Sequence, residues 1–366
     1  MDAGIIAISD FCDPVPPRES GIGPAALCES WRNLPPSCPS LRPEVVGGYL
    51  ERLPLSCVAA GLATSAEVWR FAGTDAGRDI AGKSGPSGLT YRTLRADGHG
   101  APYGSAEALA AIRERGAPAI LCVWGLGVTE DILTACANSV KIYNSIDAPA
   151  LRIPFEISRH FDLFLTGAEW QSQDIRARHP DALCEVMPIG PEFASDQTFH
   201  PTGAAKDYDV VYVAATQAYK RHDLLLDALS HLPERRALCV VGYGHLTDSL
   251  KGEADHRGLA IDWIGPVGHD EVNRLINRAK IGVVCGVHDG APAILTEYML
   301  AGLPVLANAG LVCGRQYIRP DTGLTATEQD FPAAMNRLIE TAHLYSPDLW
   351  SSSTGHGRIR CGALAG

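Results

Sequence analysis

The stretch Ile281-Gly282-Val283-Val284-Cys285-Gly286-Val287-His288-Asp289-Gly290-Ala291-Pro292-Ala293-Ile294-Leu295-Thr296-Glu297-Tyr298-Met299-Leu300-Ala301-Gly302-Leu303-Pro304-Val305-Leu306-Ala307-Asn308 reads as strand, glycine turn, helix, turn, strand. Ile281 to Cys285 is an unbroken apolar run, the mark of a parallel strand covered on both faces. Pro292 suits the first helical turn, where its missing N–H leaves nothing unsatisfied and its φ is already helical. Two acids bracket the turn, Asp289 before the helix and Glu297 inside it. From Pro292 to Glu297 a helix rises about 7–8 Å, close to the separation of a pyrophosphate from the ribose that carries it. A pyrophosphate held by the N–H groups of Gly290, Ala291 and Ala293 beside Pro292, at the positive helix end, leaves Glu297 to accept from ribose hydroxyls. Asp289 then faces whatever lies beyond the phosphates.

At 366 residues the chain is long enough for two domains, each with its own core. Its 46% hydrophobic and 20% charged content is that of an ordinary globular protein. The net charge of -11 argues against a nucleic-acid partner, which demands a basic face. Eleven cysteines are scattered without a C-x-x-C pair, which predicts reduced thiols and neither a disulfide scaffold nor a zinc site. Met1-Asp2-Ala3-Gly4 lacks the basic start of a signal peptide, and no apolar run approaches the roughly eighteen residues of a membrane span. The expected location is the cytoplasm, with no membrane association indicated.

Outward from the central stretch, Val210 to Ala214 is a second buried strand, followed by Thr216-Gln217-Ala218-Tyr219-Lys220-Arg221 and a helix carrying Leu224, Leu225, Ala228 and Leu229. Leu238 to Val241 runs into Gly242-Tyr243-Gly244, another strand followed by a G-x-G turn. Asp207-Tyr208-Asp209 has the form of a metal-binding D-x-D, but it opens a buried strand and reads as structural punctuation. In the first half, Gly4 to Ser9, Ala66 to Phe71, Gly88 to Arg95, Ala119 to Trp124, Val140 to Tyr143 and Phe161 to Thr166 are strand candidates. Ser105 to Arg115 is a helix capped by Ser105 and stopped by Gly116.

Two motifs compete for attention there. Gly77-Arg78-Asp79-Ile80-Ala81-Gly82-Lys83-Ser84 satisfies the Walker A spacing, yet Gly85-Pro86-Ser87-Gly88 follows where a phosphate-binding helix must start. It reads as a surface loop. Gly125-Leu126-Gly127 after a strand, with Asp147 closing the next one, allows a dinucleotide oxidoreductase. That pattern lacks its third glycine, and Glu130 would oppose a pyrophosphate.

The segment from Asp289 to Glu297, followed by Ala301-Gly302-Leu303-Pro304-Val305, resembles the carboxylate-x7-carboxylate motif of the retaining GT-B glycosyltransferases of family 4, or group 1. The likeness is strong from about Tyr208 to Leu338 and moderate from about Lys141 to Pro201. It extends to Phe199-His200-Pro201 as a hinge, to the Ile261–Val267 strand end, and to Thr322-Gly323-Leu324. It implies two Rossmann-like αβα domains facing an interdomain cleft, with a C-terminal helix crossing back. The expected boundaries are an acceptor domain at 1–200, a linker at 201–207, a donor domain at 208–330, a crossover helix at 331–350 and a disordered tail at 351–366.

The resemblance further implies sugar transfer from a nucleoside-diphosphate sugar with retention, without metal or other cofactor. The acceptor could be a glycan, a lipid or a small molecule. In this reading Lys220 grips the diphosphate with Arg221 assisting, Asp289 orients the sugar, and Glu297 holds the ribose. Gly242, Val267 and Gly268 flank the nucleobase, and Gly21, Gly23, Trp124 and Asp147 stand on the acceptor side. The chain departs from the family where an arginine normally precedes the lysine and where Cys122-Val123-Trp124 replaces a histidine strand end. A non-catalytic scaffold of the same fold therefore stays open as an alternative.

Overall fold

The computed structural model describes residues 2–13, 49–73, 79–85, 88–98, 101–145, 150–187, 194, 196, 198–290 and 292–347. The chain divides into two compact units at residues 188/189. Gly21, Gly23, Asp147, Ala291 and the 351–366 segment lie outside the described residues.

The first unit is built on eight strands, β1 (Asp2–Asp13), β2 (Ala66–Ala72), β3 (Asp79–Ser84), β4 (Thr90–Arg95), β5 (Pro118–Trp124), β6 (Val140–Ser145), β7 (Leu163–Thr166) and β8 (Leu183–Val186), in the order β3-β4-β2-β1-β5-β6-β7-β8. Every pairing is parallel except that of β3 with β4. Ile5, Ala7, Val68 and Cys122 bury on one face, Ile6, Ile8, Trp69 and Leu121 on the other. Alternate residues thus enter opposite layers, and because both layers are covered the strands read as continuous apolar runs.

Asp79–Ser84 of the Walker-like string form the edge of this sheet. Lys83 stands opposite Tyr91 and Ser84 opposite Thr90, while Arg92 donates to the carbonyls of Ile80 and Ala81 at 2.7 Å each. The expected surface loop is therefore an antiparallel edge strand. Asp-Ile-Ala-Gly-Lys-Ser carries almost no strand propensity of its own, so pairing with β4 decides the local structure.

The second unit is a six-stranded, wholly parallel sheet: β9 (Tyr208–Val213), β10 (Ala237–Val240), β11 (Ile261–Ile264), β12 (Ala279–Val284), β13 (Val305–Asn308) and β14 (Gly323–Ala326), in the order β11-β10-β9-β12-β13-β14. Helices His222–Ser230, Thr247–His256, His269–Ile276, Ala293–Leu300 and Phe331–Thr341 connect and cover it. Val210, Tyr212, Ile281 and Val283 face one layer, Val211, Val284 and Tyr298 the other. Phe331, Met335 and Leu338 of the last helix belong to the former layer. Among the described residues no helix is long and apolar enough to cross a membrane.

The residues expected to form a linker are tied to this unit. Phe199 is buried, and Asn277 accepts from the Thr202 amide at 2.9 Å while donating to the His200 carbonyl at 3.0 Å. Lys206 donates to the Asn277 carbonyl at 2.8 Å. The D-x-D acids are likewise structural: Asp207 pairs with Arg278 and Asp209 with Lys280, each at 2.8 Å.

One close approach fixes how the central helix lies on the sheet. A Cβ on Gly282 would fall 2.4 Å from the Tyr298 ring, so only glycine lets that ring rest on β12. The Tyr298 hydroxyl then reaches β9, accepting from the Val213 amide at 2.8 Å and donating to the Val211 carbonyl at 3.3 Å. Gly282→Ala is expected to destabilise the fold by about 1–3 kcal/mol through overpacking, read as a lower midpoint in urea unfolding.

Candidate functional site

The strand order of the second sheet decides where its chemistry collects. From β9 the chain steps outward to β10 and β11, then returns to the other side of β9 as β12 and continues to β13 and β14. Connections leaving β9 and β12 therefore run apart on opposite sides, and the gap between them at the carboxyl edge is a topological switch point. The segment after β9 carries Lys220, and the segment after β12 carries Asp289. The two residues, 69 apart in sequence, meet there as an ion pair between Lys220 Nζ and Asp289 Oδ2. Asp289 is only 5% exposed.

Lys220 is held from several directions. It ends a 3₁₀ turn, Ala218–Lys220, its carbonyl accepts from the buried Tyr212 hydroxyl, and its ammonium lies 5.1 Å from the centroid of the Tyr219 ring. Gly286, just past β12, allows the close approach: a Cβ there would sit 3.0 Å from the Tyr219 carbonyl oxygen. Sequence reading passed over Gly286, although a glycine directly after a buried strand is the available signal.

Arg221, expected to assist Lys220 on the diphosphate, has a different commitment. Its fork makes paired hydrogen bonds to Glu328 at 2.6 and 3.0 Å, and its Nε bonds Asp223 at 3.0 Å. The Arg221 hydrogen bond, then a smaller contribution from the Asn308 side chain, holds the Glu328 carboxyl below the usual range. Glu328 is the partner that sequence reasoning missed, since 107 residues separate it from Arg221.

The helix beyond Asp289 begins at Ala293, with Pro292 as its N-cap one residue later than expected, and has no acid in its first turn. A helix N-terminus of this kind carries partial positive charge. Glu297, half-buried, follows Ala293 by about 6 Å along the axis. Gly242 lies past the end of β10, where an added Cβ would meet open space, and Val267 and Gly268 follow β11. The β9 and β10 segments are tied together, Thr216 donating its amide to the Tyr243 carbonyl at 2.8 Å. Lys220, Asp289, Gly290, Pro292, Ala293, Gly242, Val267 and Gly268 accordingly all belong to the carboxyl edge of one sheet.

In the first unit, Trp124 is half-buried at the end of β5 and packs on the core. The Gly125-Leu126-Gly127 turn is consumed by internal structure. The Gly127 amide donates to the Trp124 carbonyl at 2.9 Å, its carbonyl accepts from Tyr103, and a Cβ on it would lie 2.7 Å from Ile153. Glu130 is paired with Arg159 and His160. A dinucleotide pyrophosphate has no donor to take from Gly127.

Residues 195–344, which span most of the second unit, match the family model described as Glycosyl transferases group 1. Over the whole chain the two-unit α/β architecture is that of GT-B glycosyltransferases. The structure is similar to HepE of Anabaena, solved with UDP and glucose (TM-score 0.64, 13% identity, 99% of each chain covered). It is also similar to sucrose-phosphate synthase of Thermosynechococcus elongatus (TM-score 0.62, 15% identity, 99% of this chain and 94% of that one). A third similar structure is the pneumococcal O-GlcNAc transferase GtfA in complex with UDP and GlcNAc (TM-score 0.55, 13% identity), of which the match spans 59% of the length and 72% of this chain. No curated protein sequence matches.

Beside Lys220 stands His222, 2% exposed, its ring 4.7 Å from that of Tyr212 and 6.5 Å from that of Trp263. Burial, then the neighbouring Lys220 charge, pushes its pKa down to about 4. It is therefore neutral at pH 7 and adds no charge beside the lysine. An unfolded histidine takes its proton below about 6.5, so in acid the unfolded state binds more protons and stability falls as pH drops from 6.5 toward 4. His222→Phe is expected to flatten that acid limb in thermal melts between pH 4.5 and 7; an unchanged pH dependence would place the titration elsewhere.

Proposed function

We propose that this protein transfers a glycosyl unit from a nucleoside-diphosphate sugar to an acceptor, with retention at the anomeric carbon and without a metal ion. The observation that carries the reading is the meeting of Lys220, Asp289 and an acid-free helix N-terminus at the switch point of the second sheet. Departure of a diphosphate develops negative charge, and a fixed ammonium with oriented helix amides stabilises it without reorganisation. On this reading Lys220, Gly290, Ala291 and Ala293, with Pro292 shaping the turn, hold the diphosphate. Glu297 accepts from the ribose, and Asp289 orients the sugar and its developing positive charge. Gly242, Val267 and Gly268 flank the base. UDP, the nucleotide in two of the similar structures, is the first donor nucleotide to test. The first unit, with Gly21, Gly23, Trp124 and Asp147, takes the acceptor, and the scattered thiols favour a cytoplasmic setting.

In calorimetric titration with UDP, GDP and ADP, Lys220→Ala and Glu297→Ala are expected to weaken the nucleotide that binds by about 1–3 kcal/mol each. Lys83→Ala is expected to leave it unchanged. Turnover of the matching sugar nucleotide should persist in EDTA and give a product of unchanged anomeric configuration by NMR. Loss of binding on Lys83→Ala with Lys220→Ala neutral would move the site to the wrong unit. Binding with no turnover or hydrolysis of any sugar nucleotide would favour the non-catalytic scaffold.

A further inference from the structure

Arg221 is, among the described residues, the one non-glycine residue with positive φ, at 53°. It sits where the chain must reverse between the 3₁₀ turn ending at Lys220 and the helix starting at His222. A left-handed backbone is natural to glycine and strained for any residue with a Cβ. Arg221 nevertheless adopts it while its side chain spans to Glu328, in the segment between β14 and the Phe331–Thr341 helix. Fork-to-fork pairing of guanidinium and carboxylate fixes orientation as well as distance. Asp223, two residues on, bonds the same side chain through Nε.

We propose that the Arg221–Glu328 pair is a clamp that holds the strained link and thereby sets the position of Lys220. Arg221 is then a positioning residue that acts through its neighbour rather than a ligand of the donor phosphates. The proposal rests on the reading of Lys220 as the diphosphate ligand. Three facts support it. The strained residue is bonded directly to Lys220, both arms of the fork are occupied by acids, and those acids would repel a phosphate brought to the same guanidinium.

The clamp and a phosphate-gripping arginine predict opposite signs. Removing Glu328 would free a cation near the anion site and so tighten nucleotide binding if Arg221 were a ligand. If the pair is a clamp, Glu328→Ala loosens the link and weakens binding. Glycine at 221 needs no clamp, so Arg221→Gly should bind normally and should also rescue Glu328→Ala.

The test titrates UDP, GDP and ADP into the full chain, takes the nucleotide that binds, and compares wild type with K220A, E328A, R221G and R221G/E328A. Expected are loss in K220A and about tenfold weaker binding in E328A, a loss of about 1.4 kcal/mol. R221G and the double variant should stay within about threefold of wild type, since glycine adopts the required φ freely. Melting temperatures should move little, because Glu328 is half exposed with a side chain 52% accessible. Tighter or unchanged binding in E328A, binding lost in R221G, or no rescue in the double variant would each overturn the clamp while K220A still loses binding. A neutral K220A, or no nucleotide binding at all, would overturn the donor-site reading and the clamp with it.

Discussion

The reversal of strand order between β9 and β12 is the constraint from which the rest follows. A parallel sheet needs right-handed crossovers, and a sheet that grows first one way and then the other must leave a gap where its connections part. The second unit does this once, beside its central strand. Whatever residues follow β9 and β12 are therefore neighbours, regardless of their distance in sequence. Lys220 and Asp289 occupy those positions, and the sheet brings them together.

Close approach of backbone at that gap is a second, dependent requirement, met by residues with no side chain. Gly282 lets the Tyr298 ring lie on β12, and Gly286 lets the Tyr219–Lys220 backbone pass beside the β12 end. Gly244 performs the same service between β9 and β10: at φ 136° its missing Cβ would otherwise fall 2.2 Å from the Thr216 hydroxyl. Tyr298 and Tyr212 then bond across these contacts to backbone groups, so the edge that carries the site is stiffened by buried hydroxyls. The polar atoms of this layer fix geometry, while the apolar residues of β9 and β12 hold the sheet together.

The second unit was largely legible in the sequence because its signals are local. Continuous apolar runs predicted β9, β10, β12 and β13, and Asp289 and the start of the helix after it were read from spacing, while Lys220 was picked out through the family resemblance. The first unit was less legible. β3 has no strand propensity and exists through pairing with β4, so a Walker-like string there looked like a loop. The pairing of Arg221 with Glu328 could not be read at all. In the sequence Arg221 is a cation beside Lys220, and nothing there shows that Glu328, far along the chain, bonds it. Long-range partners and backbone strain are properties of the folded chain, and sequence periodicity carries neither.

The ion pair at the switch point also couples the two roles assigned to it. In the free protein the ammonium of Lys220 is matched by the Asp289 carboxylate, so neither is a bare charge in a largely buried place. An incoming diphosphate carries more negative charge than one carboxylate and competes for the same ammonium. On the proposed reading, as the phosphates draw Lys220 toward themselves, Asp289 loses part of its counter-charge. On that same reading its field is then free to act on the anomeric centre, where positive charge grows as the diphosphate leaves. Donor arrival and the readiness of Asp289 are one event on the proposed reading, because both depend on a single proton-rich group that cannot satisfy two anions equally.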